Sequence, residues 1–131
     1  MTAILKKRPR SARRPATQVA ALTEKNRVAS LRLILAMPRS KFARLLGRTE
    51  RAIIDWESGK TDPQGLSKQR LLELERLTEA LCGLFKADSL GKWFDTPNPA
   101  FGGLKPMEVI ERGESDRLWR MVFELAAGTH V

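Results

Sequence analysis

One cysteine and one histidine are all that 131 residues carry of those two types, and their scarcity excludes several kinds of chemistry. A lone thiol, Cys82, rules out an intramolecular disulfide and suits a reducing cytoplasm. One Cys and one His cannot build a metal site, and His130 lies at the chain end, where a solvated end residue is commoner than a base. No apolar run approaches membrane-spanning length, and the basic start is not followed by a signal-type hydrophobic region. The Gly102–Gly103 pair follows no strand pattern and lacks a phosphate-loop lysine in register. Glu111, Glu114 and Asp116 are close together, but helix ends collect such residues. The expectation is a cytoplasmic protein that is not an enzyme, with no cofactor, no metal and no membrane contact.

Acidic residues are also the minority. Lys and Arg number 24 against 15 Asp and Glu, a net charge of +9 and a pI near 10.4, which points to a polyanionic partner. Acids become frequent only from Glu57 onward, so the positive charge is concentrated in the N-terminal half. Residues 1–15 hold Lys6, Lys7, Arg8, Arg10, Arg13 and Arg14 with no acid, and residues 1–16 read as a basic arm, disordered when free. Such an arm either follows a DNA backbone or minor groove, or is a solvated tail.

The helical pattern then begins. Residues 17–37 carry Val28, Leu31 and Leu35 at helical spacing, in one helix or in two pieces broken around Lys25 and Asn26, with Pro38 ending it. Residues 39–59 read as two short helices joined by a tight turn. Ser40 is the expected cap of the first, whose apolar side is Phe42, Ala43, Leu45 and Leu46. Gly47 sits where the chain needs positive φ, and Thr49 caps the second helix with Glu50 in its first turn. Ile53 and Trp56 share the buried face; Arg51, Ile54 and Asp55 face outward. Ser67 opens a longer helix with Leu71, Leu74, Leu77 or Thr78, Leu81 and Leu84 as its stripe. Past Asp88, Trp93, Phe94, Asn98, Pro99, Gly102 and Gly103 crowd a loop, a short helix spans residues 106–111, and Ser115 or Asp116 caps the last helix. That last helix is apolar almost all round, more than a small domain readily covers, unless residues 74–85 cover it.

Two resemblances follow from these residues. Phe42, Ala43, Leu46, Gly47, Ile53 and Trp56, with the run WESGKTDP at residues 56–63, resemble the Xre and phage-repressor branch of the helix-turn-helix proteins, although Arg48 stands where an aliphatic side chain is common. The resemblance implies DNA binding, with Glu50, Arg51 and Asp55 at base-reading positions and Arg39, Ser40, Thr49 and Lys60 among the DNA-contacting residues. Asp55 either opposes phosphate or accepts from cytosine. From Trp93 onward, Pro97–Asn98, Gly102–Gly103, Pro106, Met107, Glu108, Ile110 and Gly113 resemble the toxin-binding domain of the Xre/MbcA/ParS antitoxins, with Phe101 where an aliphatic residue is common. The pairing resembles the Xre antitoxin of RES–Xre systems. It implies an all-α chain with an Xre-like helix-turn-helix domain and connector helix at 17–87 and a toxin-binding domain at 88–131. It further implies a repressor of its own operon that binds a RES-domain, NAD-consuming toxin through Trp119, Phe123, Gly128, Thr129, His130 and Val131. The protein would be a homodimer or part of a higher toxin–antitoxin assembly. Two other readings stay open: a transcription regulator whose C-terminal domain only dimerises, and an adaptor that no longer binds DNA.

Overall fold

The structure is a computed structural model and describes residues 24–128. The basic arm at 1–16, and the tail residues Thr129, His130 and Val131, lie outside the described residues. The helices run α1 (Glu24–Ile34), α2 (Arg39–Leu46), α3 (Glu50–Ser58), α4 (Gly65–Cys82), α5 (Leu90–Phe94), α6 (Pro106–Glu111) and α7 (Ser115–Ala126). Single turns of 3-10 helix occur at Ala87–Ser89 and Pro99–Phe101, and the described residues contain no strand. The fold is all-α.

Helix α1 buries Val28 and Leu31 completely, with Leu35 buried just past its end, and it includes Lys25 and Asn26 without a break. It stops at Ile34, four residues before the proline expected to end it. A tight reversal does the work instead: Ala36 adopts a positive φ of 54°, and Met37 N–H donates to the Arg32 carbonyl at 3.2 Å. Positive φ is uncommon for a residue with a Cβ, so tertiary packing must hold this turn. Pro38 then serves as the N-cap of α2, its carbonyl accepting from Phe42 N–H at 3.1 Å. Ser40 lies inside α2 and makes no capping bond, which corrects its expected role; proline already supplies the extended φ and ψ that a cap needs.

The turn from α2 to α3 forms as its residues dictate. Gly47 takes φ 66°, and Arg48 N–H reaches back to the Ala43 carbonyl at 2.9 Å, closing the last turn of α2. Thr49 Oγ1 accepts from Ala52 N–H at 3.2 Å and so caps α3. Ile53 and Trp56 are buried where α3 packs against α1 and α2. Helix α4 starts at Gly65 rather than at Ser67. The Ser67 side chain caps nothing; it is buried, and its hydroxyl accepts from Arg48 Nη1 at 3.1 Å.

The segment after α4 is more helical than its prolines and glycines suggest. Leu90 and Phe94 are fully buried one turn apart, so residues 90–94 coil where a loop was expected. Asn98 accepts from Ala100 N–H at 2.9 Å, and Gly102 and Gly103 take positive φ, marking the expected turns. Helix α6 spans Pro106–Glu111, with the Glu108 carboxylate accepting from Lys105 N–H at 2.8 Å. Neither Ser115 nor Asp116 caps α7. Glu114 holds the cap position without a side-chain bond, and Ser115 Oγ donates to Glu73 at 3.3 Å instead.

The buried residues form one contiguous core from Val28 to Val122. Helix α6 packs on α2, and α7 packs on both α4 and α6. Ion pairs reinforce the α2 contact: Lys41 Nζ lies 3.1 Å from Asp95, and Arg44 Nη2 lies 3.1 Å from Glu111. Hydrogen bonds from Lys105 and Lys41 hold the exposed Asp95 carboxyl below its ordinary range.

Candidate interaction sites

Two surfaces carry the residues that the sequence singles out. The first is the outer face of α3. Glu50 and Arg51 are exposed, Asp55 is half-buried, and Ile54 emerges beside them. Arg51 Nε lies 3.6 Å from Asp55 Oδ1, one helical turn along, so the two outward charges face each other rather than diverging. Thr49 is exposed, but its hydroxyl is committed to the cap. Ser40 and Lys60 are exposed at the start of α2 and just past α3.

Arg39 is tied down in a way that residue types do not announce. Its Nε donates to Glu57 Oε1 at 2.9 Å, while Arg32 Nε donates to Glu57 Oε2 at 2.6 Å. One carboxylate from the end of α3 thus joins α1 to the start of α2. Burial pushes the Glu57 carboxyl up, but the hydrogen bonds and charges of Arg32 and Arg39 outweigh it and hold ionisation below the ordinary value. Arg48 also proves structural. Its guanidinium lies 5.5 Å over the Trp56 ring, so the position common for an aliphatic side chain is filled by a cation stacked on an aromatic.

The second surface is the outer face of α7. Leu118, Met121 and Val122 are buried and Trp119 packs partly against the core, so α4 and α6 cover much of this apolar helix. Phe123 is left 66% exposed, with its ring 5.9 Å from that of Trp119. Ala126, Ala127 and Gly128 follow, all exposed, with Gly128 at φ 71°. An aromatic pair anchored at one ring and open at the other is a form that protein interfaces favour.

The remaining polar groups offer little chemistry. Glu111 pairs with Arg44 and Glu114 with Arg117 at 2.9 Å, while burial raises the Cys82 thiol above its ordinary range. Among the described residues, no group of three or more His, Cys, Asp or Glu is placed to hold a metal. None of the helices among them is long and apolar enough to cross a membrane.

Comparison with known proteins places this arrangement. No family model matches the chain. It is 30% identical over 87 residues to the mycobacterial cidal antitoxin MbcA of Mycobacterium tuberculosis and of Mycobacterium bovis, an alignment covering 66% of this chain and 77% of the relative. It is similar in structure, with a TM-score of 0.66 and 27% identity, to a chain of the crystal structure of the M. tuberculosis MbcT–MbcA toxin–antitoxin complex, covering 79% of this chain and 94% of that one. A helical chain whose last helix keeps an open aromatic face thus matches MbcA over most of the relative's length: the protein belongs to the MbcA family of antitoxins.

Proposed function

We propose that this chain is the antitoxin of a type II toxin–antitoxin system, acting by binding rather than by catalysis. It docks on and neutralises a RES-domain, NAD-consuming toxin and represses its own operon by binding operator DNA. The observation that carries the reading is the kinship with MbcA, together with the structural likeness to a chain of the MbcT–MbcA toxin–antitoxin complex. The exposed Phe123 beside Trp119 gives that docking a physical anchor, and the exposed face of α3 under a net charge of +9 suits an operator. The residues before and after position 88 divide these tasks, DNA to the first and toxin to the second. The RES class of the toxin and its use of NAD rest on the sequence resemblance alone. The setting of this reading is the cytoplasm.

The test is co-expression with a RES-domain protein, sought first in the reading frame next to its own. A stable complex should co-purify, and NAD consumption should stop. Phe123→Ala should weaken the complex by about 2 kcal/mol or more while leaving the thermal midpoint nearly unchanged, because so exposed a ring contributes little to the core. A homodimer that ignores the toxin would instead favour a regulator whose C-terminal region only dimerises.

A further inference from the structure

Several cations among the described residues already have a carboxylate. Arg39 has Glu57, Lys41 and Lys105 share Asp95, Arg44 has Glu111, and Arg117 has Glu114. Arg48 and Arg70 differ. Both are exposed, both are fixed by the protein, and no carboxylate among the described residues pairs with either.

Their positions converge on one place, the turn between α2 and α3. Arg48 belongs to that turn; its Nη1 donates to Ser67 Oγ at 3.1 Å and its guanidinium rests on Trp56. Arg70, one helical turn beyond Ser67 on α4, donates from Nη1 to the carbonyl of Leu46 at 3.3 Å, the last residue of α2. A Cβ on Gly47 would lie 2.2 Å from that same Nη1, so Arg70 is drawn close over the glycine. Lys68, between the two on α4, is exposed as well. A guanidinium carries five donors, and each of these spends one nitrogen on the protein. Holding the side chains beforehand lowers the entropy lost when the remaining donors meet an anion.

We infer that Arg48 and Arg70 form a phosphate clamp for the sugar-phosphate backbone of duplex DNA, flanking the first turn of α3 and separate from its base-reading face. This rests on the operator-binding reading above. Thr49 caps α3 directly after Arg48, so a duplex that receives Glu50 and Arg51 must carry its backbone past the clamp. The occupant is a backbone rather than an acidic protein surface because the clamp adjoins a helix end whose outward face is exposed and continues in Arg51 and Lys60.

The experiment is a titration of the full chain, across a range of salt, against a duplex selected by the wild-type protein from a random pool and against an unrelated duplex. For Arg48→Gln with Arg70→Gln, affinity should fall alike on both duplexes, leaving their ratio unchanged. The log–log salt slope should flatten by roughly 0.9 for each phosphate no longer neutralised, about 1.8 for the pair. The double Lys variant should keep the wild-type slope. Arg70→Gln alone leaves the Trp56 stack untouched, so it should stay folded and show about half of the slope change. An unchanged slope in a folded Gln variant, or a loss confined to the selected duplex, overturns the clamp while leaving operator binding intact. A wild-type chain that binds no duplex at any salt removes the operator reading and the clamp with it.

Discussion

Gly91 stands directly against Ala36: a Cβ added to the glycine would lie 2.6 Å from the Ala36 Cβ and 2.7 Å from the Leu35 carbonyl oxygen. Helix α5 therefore closes onto the strained turn after α1, at the point where Ala36 holds its positive φ. The residues after α4 are docked on the first of the described helices, through the glycine here and through α6 on α2.

Gly91→Ala should destabilise the fold by about 1–3 kcal/mol, the range for forcing extra volume into a closed contact. Alanine is the better helix former, so propensity alone predicts the opposite sign. Urea unfolding of the two proteins decides between them. A variant as stable as wild type would mean that α5 can shift away from the Leu35–Ala36 turn at no cost.

How much of this was legible in the sequence depends on the range of the interaction. Gly47, the Thr49 cap, the Ile53 and Trp56 face and the span of α6 are local facts, decided within a few residues, and the structure keeps them. Ser40 failed as a cap because Pro38 occupied the position first, and Ser67 does not open α4, which begins two residues earlier at Gly65. The end of α1 and the coiling of residues 90–94 were not legible, since each depends on the other across some 55 positions, the separation of Ala36 and Gly91. At the α3 surface the exposure of Arg51 could be read from spacing, whereas the partners of Arg39 and Arg48 could not.

The Glu57 carboxylate gives the stability a pH dependence of known sign. Its folded pKa lies below the ordinary 4.5, so the pairing with Arg32 and Arg39 stabilises fully above that value and is lost as pH falls through and below it. Glu57→Gln leaves two guanidiniums without their counter-charge and should cost about 3 kcal/mol at pH 7. Denaturant midpoints of both proteins should converge as the pH drops from 5 toward 3. A gap of constant size would assign the loss to packing rather than to charge.

For the operator contact proposed of α3, Arg51 is the side chain to test, being exposed there with its Nε toward Asp55. A guanidinium pairs bidentately with guanine, so Arg51→Ala should lose about 1–3 kcal/mol on the selected duplex and far less on a random one. Equal losses on both would reduce Arg51 to a phosphate contact. Asp55→Asn, which removes the charge facing Arg51 and keeps the shape, should relax specificity without flattening the salt slope.

The chain end carries the remaining part of the functional claim. Helix α7 runs out at Ala126, Gly128 turns the chain at positive φ, and Thr129, His130 and Val131 follow beyond the described residues. We propose that Trp119 and Phe123 supply affinity, while the final residues enter the toxin's NAD pocket and block it sterically. The two roles separate by deletion. Removing residues 129–131 leaves untouched the buried Leu118, Met121 and Val122 that hold α7 to the core, so the thermal midpoint should not move. The truncated chain should bind its operator as before and still co-purify with the toxin through Phe123. NAD consumption by that complex, followed with purified components, should be partly restored. Complete inhibition by the truncated chain would exclude occlusion by the tail, and the α7 surface itself would then have to hold the toxin in an inactive form.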